Sequence, residues 1–283
     1  MNLTERKMIL LLGATGYIGS EFGRQMHNRD WYVDCRSHVG FERAQVVSAY
    51  TAVISCAAYV TKPSVELCED HKADCLLGNL LFPTVIRDAC AAAGVPLLHV
   101  STGCLYNGDG PFKESDPPML TFDTGAGFYV GSKELAERLV RQYYKTWICR
   151  VRLPFDQYDH PRNFLSKLLS FPKVLDTRNS MSHRGDFVKA CLDLIELKAP
   201  FGTYNMTNPG AVWTHDIVDM LKQRPGLFKT DWEYWDLVEF ILQVRRTPMS
   251  NAELDVSKLL ATGVKIRPVM EAMEDSIKNW TKE

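Results

Sequence analysis

Lys7-Met8-Ile9-Leu10-Leu11-Leu12-Gly13-Ala14-Thr15-Gly16-Tyr17-Ile18-Gly19 decides the fold of this chain. Residues 7–12 are an apolar run long enough for one strand, and helical spacing begins at Tyr17 and continues to residue 27. Glycines between them permit a tight turn and a close approach of backbone to a pyrophosphate. The helix start then offers free N–H groups and a partial positive charge. Strand, glycine turn and helix in that order read as a dinucleotide-binding turn. The residues predicted to line it are Gly13, Thr15, Gly16, Tyr17, Ile18 and Gly19.

Working outward, strands are predicted at 31–35, 52–56, 97–100 and 147–153, with helices at 73–93 and 128–144. Strand and helix alternate through the first half, which predicts an α/β fold with a doubly wound parallel sheet of the Rossmann type. Residues 107–126 are rich in Gly, Pro and Asp and read as a loop. A helix at 186–197 and a strand at 203–206 return to the sheet, whereas 212–283 read as mostly helical. The expected division is a dinucleotide domain over 1–155, joined by 185–207. The remainder, 156–184 and 208–283, forms a smaller, mostly helical substrate lobe.

The chain has 283 residues, 46% of them hydrophobic, and a net charge of -1, so nothing in its charge argues for nucleic acid. No apolar run appears long enough to span a bilayer, and no membrane partner is expected. The eight cysteines form no CxxC pair. They read as reduced thiols of a cytoplasmic protein, and no metal site is expected.

The second strand ends in Cys35-Arg36-Ser37-His38. An Arg here suits a 2′-phosphate, and Arg36 therefore favours NADP(H) over NAD; Asp34, two residues earlier, would instead suit a ribose hydroxyl. Cys56, Ala57 and Ala58 close the third strand with small side chains across which a dinucleotide can lie. Tyr129 and Lys133 stand four apart, on one face of a predicted helix. With Thr102 at the end of a strand they suit a carbonyl reductase: Tyr129 gives the proton, Lys133 lowers the phenol pKa and holds the nicotinamide ribose, and Thr102 bonds the same carbonyl oxygen.

The GATGYIG turn, STGCLY at 101–106 and YVGSK at 129–133 resemble the extended short-chain dehydrogenase/reductase family, and within it the dTDP-4-dehydrorhamnose reductase branch. Further phrases are KPSV at 62–65, CEDHK at 68–72, PRNFLSK at 161–167, NSM at 179–181, YNMTNPG at 204–210 and NAELD at 251–255. They are similar to bifunctional 3,5-epimerase/4-reductases that make UDP-L-rhamnose. The resemblance implies hydride chemistry at Thr102, Tyr129 and Lys133. It also implies proton chemistry at Cys104 and Lys167, with either one the base and the other the acid. It further implies sugar-nucleotide contacts at Arg162, Asn163, Asn179 and Arg246, a UDP- or dTDP-linked 4-keto-6-deoxy sugar as substrate, and a homodimer as a common assembly.

Two segments depart from that family. Met249 stands where it carries an Arg, leaving Arg245 and Arg246 a few residues upstream. His183-Arg184-Gly185-Asp186 replaces an apolar run and reads as a loop. Alternatives to the bifunctional reading are a reductase alone and a non-catalytic NADP-binding regulatory subunit.

Overall fold

Alternate residues of the first strand turn to opposite faces: Ile9 and Leu11 enter one apolar core, Leu10 and Leu12 another. All four are fully buried. A strand apolar on both faces needs a layer of helices on each side. The computed structural model, which describes residues 7–36, 48–61 and 64–281, has that arrangement. Ser37, His38, Lys62 and Pro63 lie outside the described residues.

The chain runs β1 (Met8–Leu12), α1 (Tyr17–Asn28), β2 (Tyr32–Arg36), β3 (Ala52–Ser55), α2 (Lys72–Ala93), β4 (Leu97–Thr102) and β5 (Gly108–Phe112). There follow α3 (Phe128–Val140), β6 (Thr146–Val151), α4 (Phe164–Ser170), β7 (Lys173–Val174), β8 (Arg178–Asn179), α5 (Arg184–Glu196) and β9 (Gly202–Asn205). The remainder is β10 (Val212–Trp213), α6 (Thr214–Lys222), β11 (Glu233–Tyr234), α7 (Leu237–Gln243), β12 (Ala252–Leu254), α8 (Ser257–Ala261) and α9 (Val269–Lys278). Six parallel strands form the central sheet in the order β2-β1-β3-β4-β6-β9. From β1 the chain crosses to β2 on one side and to β3 on the other, so the strand order reverses at β1. Ligands of such sheets bind where the order reverses, outside the carboxyl ends of the strands. Phe22 and Met26 of α1 and Phe187, Val188 and Leu192 of α5 cover one face. Ile86, Ala89 and Cys90 of α2 and Val140 of α3 cover the other.

A separate apolar cluster gathers Phe155, Leu165, Leu168 and Met181 with Ile217, Val218, Met273 and Trp280. Some sequence expectations are corrected here. Residues 107–126 contain a strand, because β5 pairs in parallel with β12: Gly108 N–H donates to Asn251 O (2.8 Å) and Asp255 N–H to Phe112 O (2.8 Å). The region 212–283 is helical as expected, with the short strands β10, β11 and β12 between its helices. His183 is no loop residue but the N-cap of α5, its ring accepting from Asp186 N–H.

One helix nonetheless reaches the length and apolarity of a membrane span. At 22 residues, with a mean hydropathy of 1.3 over its most apolar 18, α2 is long and apolar enough by length and composition to cross a membrane. Here it lies on the sheet, with Ile86, Ala89 and Cys90 fully or nearly buried. A wide π turn at Leu77–Leu81 interrupts it. Through that turn Asn79 grips the segment after β3: its Oδ1 accepts from Tyr59 N–H and its Nδ2 donates to Tyr59 O, both at 2.9 Å.

Candidate functional site

The glycine turn sits where the strand order reverses. Gly13 has φ +90°, and a Cβ there would lie 2.6 Å from Ala57 N; a Cβ on Gly19 would lie 1.9 Å from Gly13 O. The turn closes with Gly16 N–H on Gly13 O (3.0 Å), and α1 starts at Gly16 with no side chain capping its first N–H groups. Thr15 and Gly16 are exposed, Ile18 is half-buried against the core and Tyr17 is buried. The adjoining wall is Cys56, Ala57 and Ala58, with Cys56 Sγ donating to Leu12 O (3.1 Å). Backbone bare of side chains beside uncapped N–H groups fits a dinucleotide pyrophosphate.

Arg36 does not wait there as a free cation. It is paired with Asp34 at 2.9 Å, and Tyr50 donates a hydrogen bond to the same carboxylate. The hydrogen bonds from Tyr50 and Arg36 hold the Asp34 carboxyl below its ordinary value. The end of β2 thus offers a carboxylate and its partner together, not a lone positive charge.

Thr102 ends β4, buried, and its Oγ1 accepts from Cys104 N–H (3.1 Å), which fixes the turn that presents the half-buried thiol. Tyr129 stands in the first turn of α3. Burial pushes its phenol up, Cys104, Cys68 and Cys75 push the same way, and Arg162 lowers it. Lys133, one turn on, is 2% exposed and donates to Val100 O (3.0 Å). Burial pushes Lys133 down to about 8, against the raising effect of Glu137. Among the groups acting on the Tyr129 phenol, Arg162 is a cation that lowers it.

Lys167 lies on α4, half-buried; burial and Arg162 lower its pKa while Cys104 raises it. Tyr129, Cys104, Arg162 and Lys167 thus share one electrostatic neighbourhood. Arg162 reaches it by donating to Thr61 O (2.8 Å) and Val60 O (2.6 Å).

Other residues expected to hold the sugar nucleotide are otherwise engaged. Asn163 is fully buried and caps α4, its Oδ1 taking Leu165 N–H (2.9 Å) while its Nδ2 bonds Asp156 and Tyr158. Asn179 Oδ1 accepts from Arg152 and from Ala252 N–H. Arg246 holds Asp70 with two bonds, 2.7 and 2.8 Å, and Arg245 holds Glu66 at 2.7 Å. Beside Asn179 opens a cavity of about 500 Å³ lined by Asn251, Asp176, Thr177, Trp235, Ile241 and Arg245; Tyr129, Cys104, Arg162 and Lys167 do not line it.

Sequence reasoning missed two buried arginines. Arg150 donates to Glu137 (2.6 Å) and to the Tyr106 hydroxyl (2.9 Å), and Ser101 donates to the same carboxylate (2.8 Å). Arg152 packs against Gly103. The signal was present: two arginines at alternate positions of an otherwise apolar strand, Cys149-Arg150-Val151-Arg152-Leu153.

A parallel sheet with a glycine turn at its switch point and a Tyr–Lys pair on the neighbouring helix defines the class of NAD(P)-dependent oxidoreductases, and the match to relatives makes it one that acts on nucleotide sugars. Within it, the chain belongs to the family described as the RmlD substrate binding domain, whose profile matches residues 7–282. It is 28% identical to a bifunctional dTDP-4-dehydrorhamnose 3,5-epimerase/dTDP-4-dehydrorhamnose reductase of Arabidopsis thaliana, over 93% of this chain and 90% of that one. Its fold matches the L780 UDP-rhamnose synthase of Acanthamoeba polyphaga mimivirus, with a TM-score of 0.86, 21% identity, 97% of this chain and 100% of that one.

The preference for NADP is overturned. Solved structures of this fold contain NAD in MoeE5, in a Thermus thermophilus UDP-glucose 4-epimerase and in a Bacillus cereus UDP-glucuronic acid 4-epimerase. A dTDP-4-dehydrorhamnose reductase from Bacillus anthracis contains NADP; it matches with a TM-score of 0.79 and 18% identity over 98% of this chain and 99% of that one. The Asp34–Arg36 pair explains why one arginine was a poor guide.

Proposed function

We propose that this chain converts a nucleotide-linked 4-keto-6-deoxyglucose, with UDP as the nucleotide, into the corresponding L-rhamnose sugar nucleotide. It does so by epimerising C3 and C5 and reducing C4. The observation that carries this reading is the shared neighbourhood of Cys104, Lys167 and Tyr129. A reductase alone needs the phenol; a thiol and an ammonium in the same field answer a second task.

Gly13 to Gly19, Cys56 to Ala58 and Lys133 would hold the dinucleotide, which when bound would supply the hydride for C4. Tyr129 gives its proton to the carbonyl oxygen as that oxygen gains charge, and Thr102 bonds the same atom. The ketone acidifies the protons at C3 and C5. One side chain of the Cys104 and Lys167 pair takes such a proton, the bonding electrons pass to the ketone oxygen, and the other returns a proton on the opposite face. Arg162 holds the sugar nucleotide, and residues 156–184 and 208–283 form the lobe that receives it. The eight free cysteines support a reducing, cytoplasmic setting.

The test is solvent deuterium exchange in UDP-4-keto-6-deoxyglucose with no dinucleotide added. Exchange at C3 and C5 is expected in the native protein and lost in Cys104→Ala. That variant still reduces a substrate already epimerised. Reduction without any exchange would make the protein a reductase alone, and absence of both would sink the catalytic reading.

A further inference from the structure

Tyr17 leaves the glycine turn and lands on the segment that carries Arg162. It is the first residue of α1, and its backbone N–H is the first of the helix donors that no side chain caps. Ile18 and Phe22 of the same helix pack into the apolar core on the sheet. The Tyr17 ring instead stacks on His160, with centroids 4.6 Å apart and planes 11° from parallel. The Arg184 guanidinium lies over the same ring at 4.5 Å. The ring is buried, and its hydroxyl has no hydrogen-bond partner among the described residues, so it is the ring face that makes these contacts.

His160 in turn fixes two of the residues read as substrate contacts. Its Nδ1 accepts from Arg162 N–H (3.0 Å), and its own backbone N–H donates to Ser166 Oγ (2.9 Å), on α4 beside Lys167. One ring contact and one hydrogen bond therefore lead from the glycine turn to Arg162. A second tie runs parallel to the first. Arg184 donates to Asp156 Oδ2 (2.9 Å) and to Ser20 Oγ of α1 (2.9 Å), and Asp156 Oδ1 accepts from Asn163 Nδ2 (2.9 Å) at the start of α4. The first turn of α1 and the segment 156–167 are thus joined at two points.

We propose that Tyr17 and His160 are a positioning pair that couples the two ligands of the site. An anion seated on the N–H groups of the turn fixes the Tyr17 ring, and through His160 it fixes Arg162 and the start of α4 for the sugar nucleotide. The sugar nucleotide then binds more tightly with the dinucleotide in place, and by linkage the dinucleotide gains the same factor from the sugar nucleotide. This rests on the reading of the chain as a dinucleotide-dependent enzyme of nucleotide sugars and adds that the two sites are not independent. Neither side chain acts on the reacting atoms; their effect is on grip.

The test is calorimetric titration of the full chain with UDP, and in parallel with dTDP, alone and at saturating NADH or NADPH. In the native protein the nucleoside diphosphate is expected to bind at least ~5-fold more tightly when the dinucleotide is present. His160→Ala is expected to bring that ratio to within about twofold of one. Tyr17→Phe keeps the ring and is expected to keep the ratio, whereas Tyr17→Leu is expected to lose it. A residue that served folding alone would weaken both titrations and leave their ratio untouched. A His160→Ala protein with the native ratio therefore overturns the proposal. So do equal affinities in the native protein, a result that needs no variant to fold. A native protein that binds only one of the two ligands overturns it together with the reading of the site. Coupled binding without deuterium exchange or reduction would instead overturn the catalytic reading and leave the coupling standing.

Discussion

Lys133 carries a pH dependence that separates it from every exposed lysine. Burial pushes it from an ordinary 10.5 to about 8 in the folded chain. Between those values the unfolded chain holds a proton that the folded one has shed, so raising the pH through this window favours folding. The stability gained is about 3 kcal/mol, at 1.4 kcal/mol per pH unit. In denaturant titrations at pH 8 and pH 10.5, the native protein is expected to gain that much relative to Lys133→Met, and equal responses would show that the ammonium is not desolvated. Glu137 poses the complementary case. Glu137→Gln leaves the fully buried Arg150 unpaired and is expected to cost ~3–5 kcal/mol, measured by chemical unfolding. The Tyr129 and Lys133 pair could be read from spacing alone, because four residues on a helix fix a shared face. The engagement of Asn163 and Arg246 could not. Their partners, Asp156 and Asp70, come from packing of segments that no local pattern relates.

Among elements, the turn between β1 and α1 offers the sharpest contrast. Gly19 and Gly23 lie on the same helix, but a Cβ on Gly19 would strike Gly13 O, whereas one on Gly23 meets nothing within 4 Å. Gly19→Ala is expected to open the turn, lowering dinucleotide affinity at least tenfold by calorimetric titration. Gly23→Ala is expected to leave affinity unchanged and add up to ~1 kcal/mol of stability, since alanine favours the helix interior. Equal affinities in the two variants would mean that the turn does not form the dinucleotide site. This element was legible because its requirement is local: three glycines, a strand before and a helix after. The pairing of β5 with β12 was not. Residues 107–126 have loop composition, and they become a strand only because Asn251 O and Asp255 N–H come to meet them.

At the scale of the whole molecule, Asn205 ties the end of the central sheet to that late pairing. Its Nδ2 donates to Phe112 O and to Asp255 O, both at 3.0 Å. Asn205→Ala removes one donor from each carbonyl, Phe112 O keeping Asp255 N–H, and is expected to cost about 1–2 kcal/mol. Hydrogen exchange of the Gly108 and Asp255 amides should quicken more than exchange in β1, and uniform quickening would show that Asn205 supports the sheet as a whole. The alternation of β and α, and so the sheet, is written in the first half of the sequence. The shell around Cys104 is assembled from segments that meet only in the folded chain.

That shell has a consequence for how the protein is made. The glycine turn closes on residues within the first 57 of the chain, while two of the four hydrogen bonds of Arg152 end on Ser250, 98 residues further along. On the ribosome the dinucleotide cradle is thus available long before the guanidinium has its acceptors. A nascent chain that has not yet reached Ser250 lacks two of the acceptors of that guanidinium, so the surroundings of Arg152 are completed late in synthesis.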